Sequence, residues 1–341
     1  MIRKIEVKNF KSLKDIYLNF RKVNLFIGEP NTGKSNLLEV FGMLSFCWYG
    51  MKYGFRLNDF VRFENISNLF FDENVEDNII IKDITDNITF NLSLTKNLLF
   101  GGSIKYGIKQ IPLFEIDFAG NVTAHLFREQ NEIVNELIRK YLKRIKFYHF
   151  ERKKLFKNKQ TTFLLPPYGD NLLSVLMTNK ELKSIIADLL KHFNYRLMFK
   201  PQEDKIEIVK EKDDVLISIP YPLISDTFQR LIFYLTAILS NKNSILIFQE
   251  PETHTFPYYT KFLAECIALD DKNNQFFIST HNPYFLLSVL EKSKKEDIAI
   301  FIVYMKNFET KVKMLTENEI EEILNQGIDI FFNLDRFIDE K

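Results

Sequence analysis

The sequence predicts an α/β fold: a mostly parallel sheet covered by helices and carrying a β-rich insertion. Three observations predict it. Near the N-terminus an apolar run, Val23 to Ile27, passes through a glycine loop straight into a segment with helical apolar spacing. Two further apolar runs, Ile245 to Phe248 and Gln275 to Ser279, are each followed by a helical pattern, and strands alternating with helices imply a largely parallel sheet. Between these ends, from about Tyr49 to Ala124, short strand-like stretches are separated by Asn, Asp and Gly.

Taken in order, Ile2, Ile5 and Val7 mark a charged strand, and Phe10 to Phe20 reads as a turn and second strand before the buried strand at Val23. Lys34 to about Trp48 contains no proline and repeats apolar residues at Leu37, Leu38, Phe41 and Leu44, so it is a helix. In the insertion, Asn78 to Ile84, Ile88 to Leu94 and Leu113 to Phe118 read as strands. A helix is expected over Glu129 to Leu142, a strand over Ile145 to Phe150, and helices over Asn171 to Met177 and Glu181 to Phe193. Tyr195 to Lys200 and Ile206 to Ile219 are strand-like. A helix then runs from Ser225 to about Leu239, another lies near Pro257 to Ala268, and a last strand covers Ile298 to Tyr304. The expected organisation is a first part of the α/β domain with the glycine loop at 1–50, a β-rich insertion with its helix at 51–145, and the remainder of the α/β domain at 146–341.

Hydrophobic residues make up 46% and charged residues 27% of the 341, and 34 Phe supply large groups for a core, so a disordered chain is excluded. A net charge of +1 excludes a polycation attracted everywhere to nucleic acid. Cys47 and Cys266 have no metal-ligand spacing and suit a reducing compartment as buried apolar residues. The longer apolar runs, near Leu231 to Leu239 and Ile298 to Met305, fall far short of a membrane span, and the N-terminus offers no signal-peptide core. A cytoplasmic protein without a membrane partner is expected.

The loop Gly28-Glu29-Pro30-Asn31-Thr32-Gly33-Lys34-Ser35 matches G-x-x-x-x-G-K-S at every fixed position. Gly28 and Gly33 let backbone N–H groups approach phosphates, with Asn31 and Thr32 between them. Lys34 places a cation on the β and γ phosphates, and the Ser35 hydroxyl can ligate Mg²⁺. ATP and Mg²⁺ are therefore the expected ligands. The strand Ile245 to Phe248 ends in Gln249-Glu250-Pro251-Glu252, where Glu250 would orient or deprotonate an attacking water. The strand Phe276 to Ser279 leads through Thr280 to His281, which could donate to a γ phosphate, although a histidine alone at a strand end is more often only a satisfied polar residue.

Together and in this order the three motifs resemble the ATPase heads of the ABC superclass, and within it the SMC-related and OLD-like (overcoming lysogenization defect) ATPases of prokaryotic defence and DNA repair. The opening IEVKNFKSLKD with its phosphate loop, FQEPETHTFP, and ISTHNPYFL carry the resemblance at both ends of the chain. It implies Glu250 as catalytic carboxylate, His281 as switch, His254 in a loop crossing a dimer interface, and Lys11 as a basic nucleotide contact. It also implies Ser225, in ISDTFQR, as the signature serine that binds the γ phosphate held by another subunit, although Ser225-Asp226 alone reads as a helix cap. Thr227 stands where glycine is common. Gln249 stands where the family has an acid that holds Mg²⁺, so slow turnover is expected, with Ser35 and Gln249 as the metal-site side chains.

Charge is uneven. Arg139 to Lys159 carries ten Lys or Arg against one Glu, and Lys140, Lys143, Arg144, Lys146, Arg152, Lys153 and Lys154 flank the aromatic strand Phe147 to Phe150. That patch could take nucleic acid or an acidic partner, or be the solvated faces of a buried strand. The 60 residues after His281 hold neither the acidic triad of a Toprim domain nor a His-Asn-His arrangement, so an effector is expected to be another polypeptide. The resemblance thus implies an ATP-closed head-to-tail homodimer or higher homo-oligomer acting as sensor or regulator in anti-phage defence. A non-catalytic ATP-gated scaffold and a DNA-repair head acting directly on DNA are the alternatives.

Overall fold

The computed structural model describes residues 1–126, 131–326 and 330–338. In chain order, β1 (Lys4–Phe10), β2 (Leu13–Asn19) and β3 (Val23–Ile27) lead to α1 (Lys34–Ser45), which continues as a π-helical stretch (Phe46–Gly50) and one turn, α2 (Met51–Tyr53). Then come β4 (Ile79–Asp83), β5 (Ile88–Leu94), β6 (Phe100–Tyr106), β7 (Lys109–Ile116), β8 (Val122–Ala124), α3 (Glu132–Lys140), β9 (Ile145–Tyr148), α4 (Leu172–Thr178) and α5 (Lys180–Lys191). The hairpin strands β10 (Tyr195–Lys200), β11 (Lys205–Lys212) and β12 (Val215–Pro220) precede α6 (Asp226–Ser240), β13 (Ile245–Gln249), α7 (Pro257–Ala268) and β14 (Gln275–Ser279). The chain closes with α8 (Pro283–Lys292), β15 (Ile298–Lys306), β16 (Glu309–Met314), α9 (Glu317–Gln326) and α10 (Leu334–Ile338).

The central sheet has the order β16-β15-β3-β14-β13-β9, and every pairing in it is parallel except β15 with the edge strand β16. Its five parallel strands are buried on both faces, which is why they read as near-continuous apolar runs, whereas the edge strand β16 is only partly buried. Phe26 on β3 and Phe301 and Val303 on β15 enter one core. Val23, Leu25 and Ile27, with Ile298, Ile300 and Ile302, enter the other. Each such side chain contributes about 1.5–3 kcal/mol on burial, and Leu25→Ala would cost about 2–5 kcal/mol.

The first core lies between one face of this sheet, α1, and an antiparallel sheet of order β2-β1-β4-β5-β6-β7-β8. Because β1 pairs with β4, the strands of residues 79–124 extend the sheet begun by residues 4–19. Phenylalanine fills the join: Phe41 of α1 lies on Phe277 with ring centroids 4.2 Å apart, Phe20 meets Phe277 at 4.8 Å, and Phe26 stacks on Phe301 at 5.1 Å. The second core packs α4 to α8 on the opposite face. Phosphate loop, acidic strand and histidine strand thus end side by side, because β3, β14 and β13 are adjacent and parallel.

Several expectations need correction. The run Ile206 to Ile219 is two strands, since Asp213 (φ +52°) and Asp214 (φ +58°) adopt left-handed conformations and make a two-residue turn between Lys212 and Val215. The strand expected at Leu113 starts at Lys109 and stops at Ile116. The sequence reading also missed β6, β8 and β16; Gly101 and Gly102 weaken the strand signal of β6. Of the helix expected over Glu129 to Leu142, Glu129 and Gln130 lie outside the described residues. The helix described begins after Asn131, whose side chain caps it by accepting from Val134 N–H at 2.9 Å. Lys146 does not belong to an exposed basic patch: it is buried, its Nζ donates to Asn241 Oδ1 and Ser244 Oγ, and burial pulls its pKa down to about 7.

Candidate active site

β3 delivers the chain into the loop with no room for side chains at two points. At Gly28 (φ +147°) a Cβ would sit 2.1 Å from the Val303 carbonyl oxygen, and at Gly33 (φ +100°) 2.0 Å from Thr310 Oγ1. Asn31 also takes a positive φ, +61°. Gly33 is the N-cap of α1 and offers no side chain to its first turn, so the orphan amides at Lys34 and Ser35 make a seat for an anion. Thr32 Oγ1 donates to Glu29 O at 2.9 Å, closing the loop on itself.

Lys34 is 5% exposed and its ammonium donates to the loop carbonyls of Gly28 (2.8 Å) and Glu29 (2.5 Å). Burial pulls its pKa down to about 8, opposed by the charges of Glu250 and Glu29. A cation held only by neutral carbonyls, beside uncapped helix amides, fits the phosphates that the loop motif calls for.

Thr310 on β16 braces the loop and carries no motif signal. Its Oγ1 donates to Thr32 O (2.9 Å); with that proton committed, Ser12 donates to Thr310 (2.7 Å) and accepts in turn from Asn36 Nδ2 (2.7 Å). Lys11 sits on the flank of α1, where its ammonium pairs with buried Glu39 and donates to Arg62 O, and Arg62 Nε also reaches Glu39 at 2.7 Å. Lys11 is thus committed to protein partners.

At the strand ends, Gln249 is in register with Ser279, and Glu250 (φ +44°) donates its backbone N–H to Ser279 O at 3.0 Å. This brings Glu250 Oε1 to 3.2 Å from His281 Nε2, with both side chains part-exposed. Burial, then the charge of Lys34, lower the His281 pKa, and Glu250 partly offsets them. A neutral imidazole facing a carboxylate must carry its proton on Nε2. The Gln249 Nε2 amide is buried with no protein partner, a donor poised for an external oxygen.

Glu252, two residues on, belongs to the acidic cluster but carries no separate role in the sequence, because its neighbour Glu250 matches the motif better. Its carboxyl is buried, accepts from Thr280 Oγ1 and from the His281 backbone, and burial raises its pKa to about 7. One oxygen, Oε2, has no protein partner. Among the described residues no group of three or more His, Cys, Asp and Glu is arranged to hold a metal ion. Ser35 and Gln249 are accordingly neutral candidates for a metal whose remaining ligands would be phosphate and water oxygens.

Ser225 lies elsewhere. It caps α6, its Oγ accepting from Phe228 N–H at 3.4 Å, while Asp226 pairs with Arg152 (3.0 Å) and Arg230 (2.9 Å). Thr227 Oγ1 donates to His254 O at 2.8 Å, so α6 and the loop after Glu250 are tied together. Ser225 lines an apolar cleft of about 970 Å³ with Phe193, Phe228 and Phe256, whereas Glu250, His254 and His281 line another hollow.

This fold and loop define a phosphate-loop ATPase head of ABC type. The family model described as "AAA domain, putative AbiEii toxin, Type IV TA system" matches residues 102–288, more than half of the chain, and the chain belongs to that family. A second model, described as "Protein of unknown function (DUF2813)", matches residues 1–79. The DNA replication and repair protein RecF of two Bacteroides fragilis strains is 42% identical over 48 residues, which is 14% of this chain and only 13% of each relative. A SMC head bound to the C-winged helix domain of ScpA superposes with TM-score 0.55 at 15% identity, covering 93% of this chain and 99% of that one. A SMC head with an extended coiled coil, bound to the C-terminal domain of ScpA from Pyrococcus furiosus, gives 0.51 at 14% identity, covering 95% and 98%. These two likenesses show the fold. No described helix is long and apolar enough to cross a membrane.

Proposed function

We propose that the chain binds ATP with Mg²⁺ on Lys34 and Ser35, closes head-to-tail with another copy, hydrolyses ATP slowly, and regulates a separate effector in anti-phage defence. The carrying observation is the convergence of a buried Lys34, an uncapped α1 and the Glu250–His281 pair at adjacent ends of parallel strands. Mg²⁺ would supply charge neutralisation on the phosphates. In this reading Lys34 leaves its loop carbonyls for phosphate oxygens, Glu250 takes a proton from the attacking water, and His281 Nε2–H, already on Glu250, positions that carboxylate and turns to phosphate. Ser225 opens onto a different cleft from the one beside Glu250, which supports a role on another subunit's nucleotide. Gln249 supplies no charge, which supports slow turnover. The defence role rests on the resemblance to defence ATPases, the family description naming a "putative AbiEii toxin, Type IV TA system", and the effector is expected on a separate polypeptide.

Mass measurement with and without ATP and a slowly hydrolysed analogue, beside a phosphate-release assay, tests this reading. ATP should double the mass and phosphate should appear slowly. Closure without phosphate release would make the chain an ATP-gated scaffold, and a mass that ATP leaves unchanged would overturn the ATP-closed dimer. The stretch shared with RecF favours a second reading, direct action on DNA. Turnover that rises with DNA and collapses with salt would select it.

A further inference from the structure

The three-stranded sheet β10-β11-β12 ends on β12, and among the described residues nothing pairs with its outer edge. Val215, Leu216 and Ile217 are 59%, 67% and 39% exposed, so three consecutive apolar side chains stand in solvent on both faces of one strand. Between Val215 and Pro220 there is no charge, and the only proline is the last residue. Edge strands that stay single are normally guarded by lysine, internal proline or a bulge. β12 has none of these, which marks it as a strand that is covered.

The hydrogen-bonding pattern of this edge is defined by its hairpin. A two-residue turn makes Lys212 and Val215 a hydrogen-bonded pair, so Val215, Ile217 and Ile219 spend their backbone groups on β11, and Leu216 and Ser218 point theirs outward. Two outward residues one apart form a self-complementary set. An antiparallel copy related by a two-fold axis at Ile217 pairs Leu216 with Ser218 of the other copy, and Ser218 with Leu216, for four backbone hydrogen bonds. Pro220, which lacks an N–H, is not needed in that register.

Side chains agree with it. Val215 falls opposite Ile219 and Ile217 opposite itself, giving one apolar stripe across both copies. Asp214 falls opposite Pro220 and Asp213 opposite Tyr221, so no like charges face each other. We infer that a second copy of this chain pairs along β12, about a two-fold axis at Ile217, to give a nucleotide-independent dimer with a continuous six-stranded sheet.

The test is the nucleotide-free mass of the full chain over a concentration series. The parent should show two 40.5 kDa chains, and Leu216→Lys, on an exposed side chain, should show one. Leu216→Pro removes an outward N–H while sparing the bonds to β11, and should also give one; an unchanged thermal midpoint for the lysine variant establishes that it is folded. Ile217→Cys, with Cys266→Ser, should form an interchain disulfide on oxidation, because facing non-hydrogen-bonded residues have Cα atoms about 4.5 Å apart, within the roughly 4.4–6.8 Å that a disulfide spans. A single-chain parent, a Leu216→Lys protein that stays dimeric, or Leu216→Cys linking as readily as Ile217→Cys would each overturn the pairing. Ser225→Arg should leave this dimer intact, which separates it from closure on ATP.

Discussion

His281 Nε2 stands 3.2 Å from Glu250 Oε1, a contact made possible because β13 and β14 are parallel neighbours that end in register. The neutral imidazole donates to the carboxylate and keeps it aimed. Glu250→Gln retains the shape but removes the base, so single-turnover hydrolysis should fall by about 10²–10⁴-fold while ATP affinity stays near the parent's. A parent-like rate in the variant would show that Glu250 does not act on the water.

Gln249 presents a neutral amide beside the proposed metal site, with its nitrogen unpartnered. Gln249→Glu or Gln249→Asp should raise Mg²⁺-dependent turnover by roughly 10-fold or more, the lower end of effects seen when groups that tune a metal are changed. Single-turnover rates across a Mg²⁺ titration are the measurement. Equal rates and equal metal dependence for amide and acid would place Gln249 outside the metal site.

Glu252 links stability to pH. Its carboxyl ordinarily titrates at 4.5, and burial raises it to about 7 in the folded chain. The folded state therefore binds more protons than the unfolded one between these values. The contribution is complete below about pH 4.5 and is lost as pH rises through about 7. Urea unfolding should show the parent losing up to about 3 kcal/mol relative to Glu252→Gln between pH 4.5 and pH 8. Glutamine keeps an acceptor for Thr280 and never ionises. A constant difference across that range would mean that Glu252 titrates normally.

Local signals made much of this molecule legible. The apolar runs of β3, β13 and β14 are each short, continuous and followed by a helix pattern, and the loop between β3 and α1 needs glycine where a Cβ would strike Val303 or Thr310. What stayed hidden depends on pairing between distant residues. Nothing in ETKVKM announces that Thr310 will reach Thr32, 278 residues away, and nothing in β1 announces β4. The turn at Asp213-Asp214 was read through because apolar residues continue on both sides of it. Lys146 resembled its basic neighbours until burial against Asn241 and Ser244 set it apart. The tie from Glu252 to Thr280 and His281 follows only once the two strand ends are adjacent.

Ser225 is the proposed contact to another subunit's nucleotide. Ser225→Arg should block the doubling of mass on ATP while leaving ATP affinity largely intact, since the residue opens onto a cleft apart from Lys34. Mass measurement with the slowly hydrolysed analogue reads the outcome. If the arginine protein closes as the parent does, the signature assignment is wrong.

Lys34 carries the central claim, that this loop holds ATP. Its ammonium is buried and bonded to Gly28 and Glu29 carbonyls, ready to exchange them for phosphate oxygens. Two charge-assisted hydrogen bonds at about 1.5–3 kcal/mol each amount to roughly 100-fold or more in affinity. The direct measurement is equilibrium binding of ATP with Mg²⁺ to the parent and to Lys34→Ala. Saturable binding by the parent and its loss in the variant is the predicted result, and equal affinity for the two proteins would contradict the phosphate-loop site.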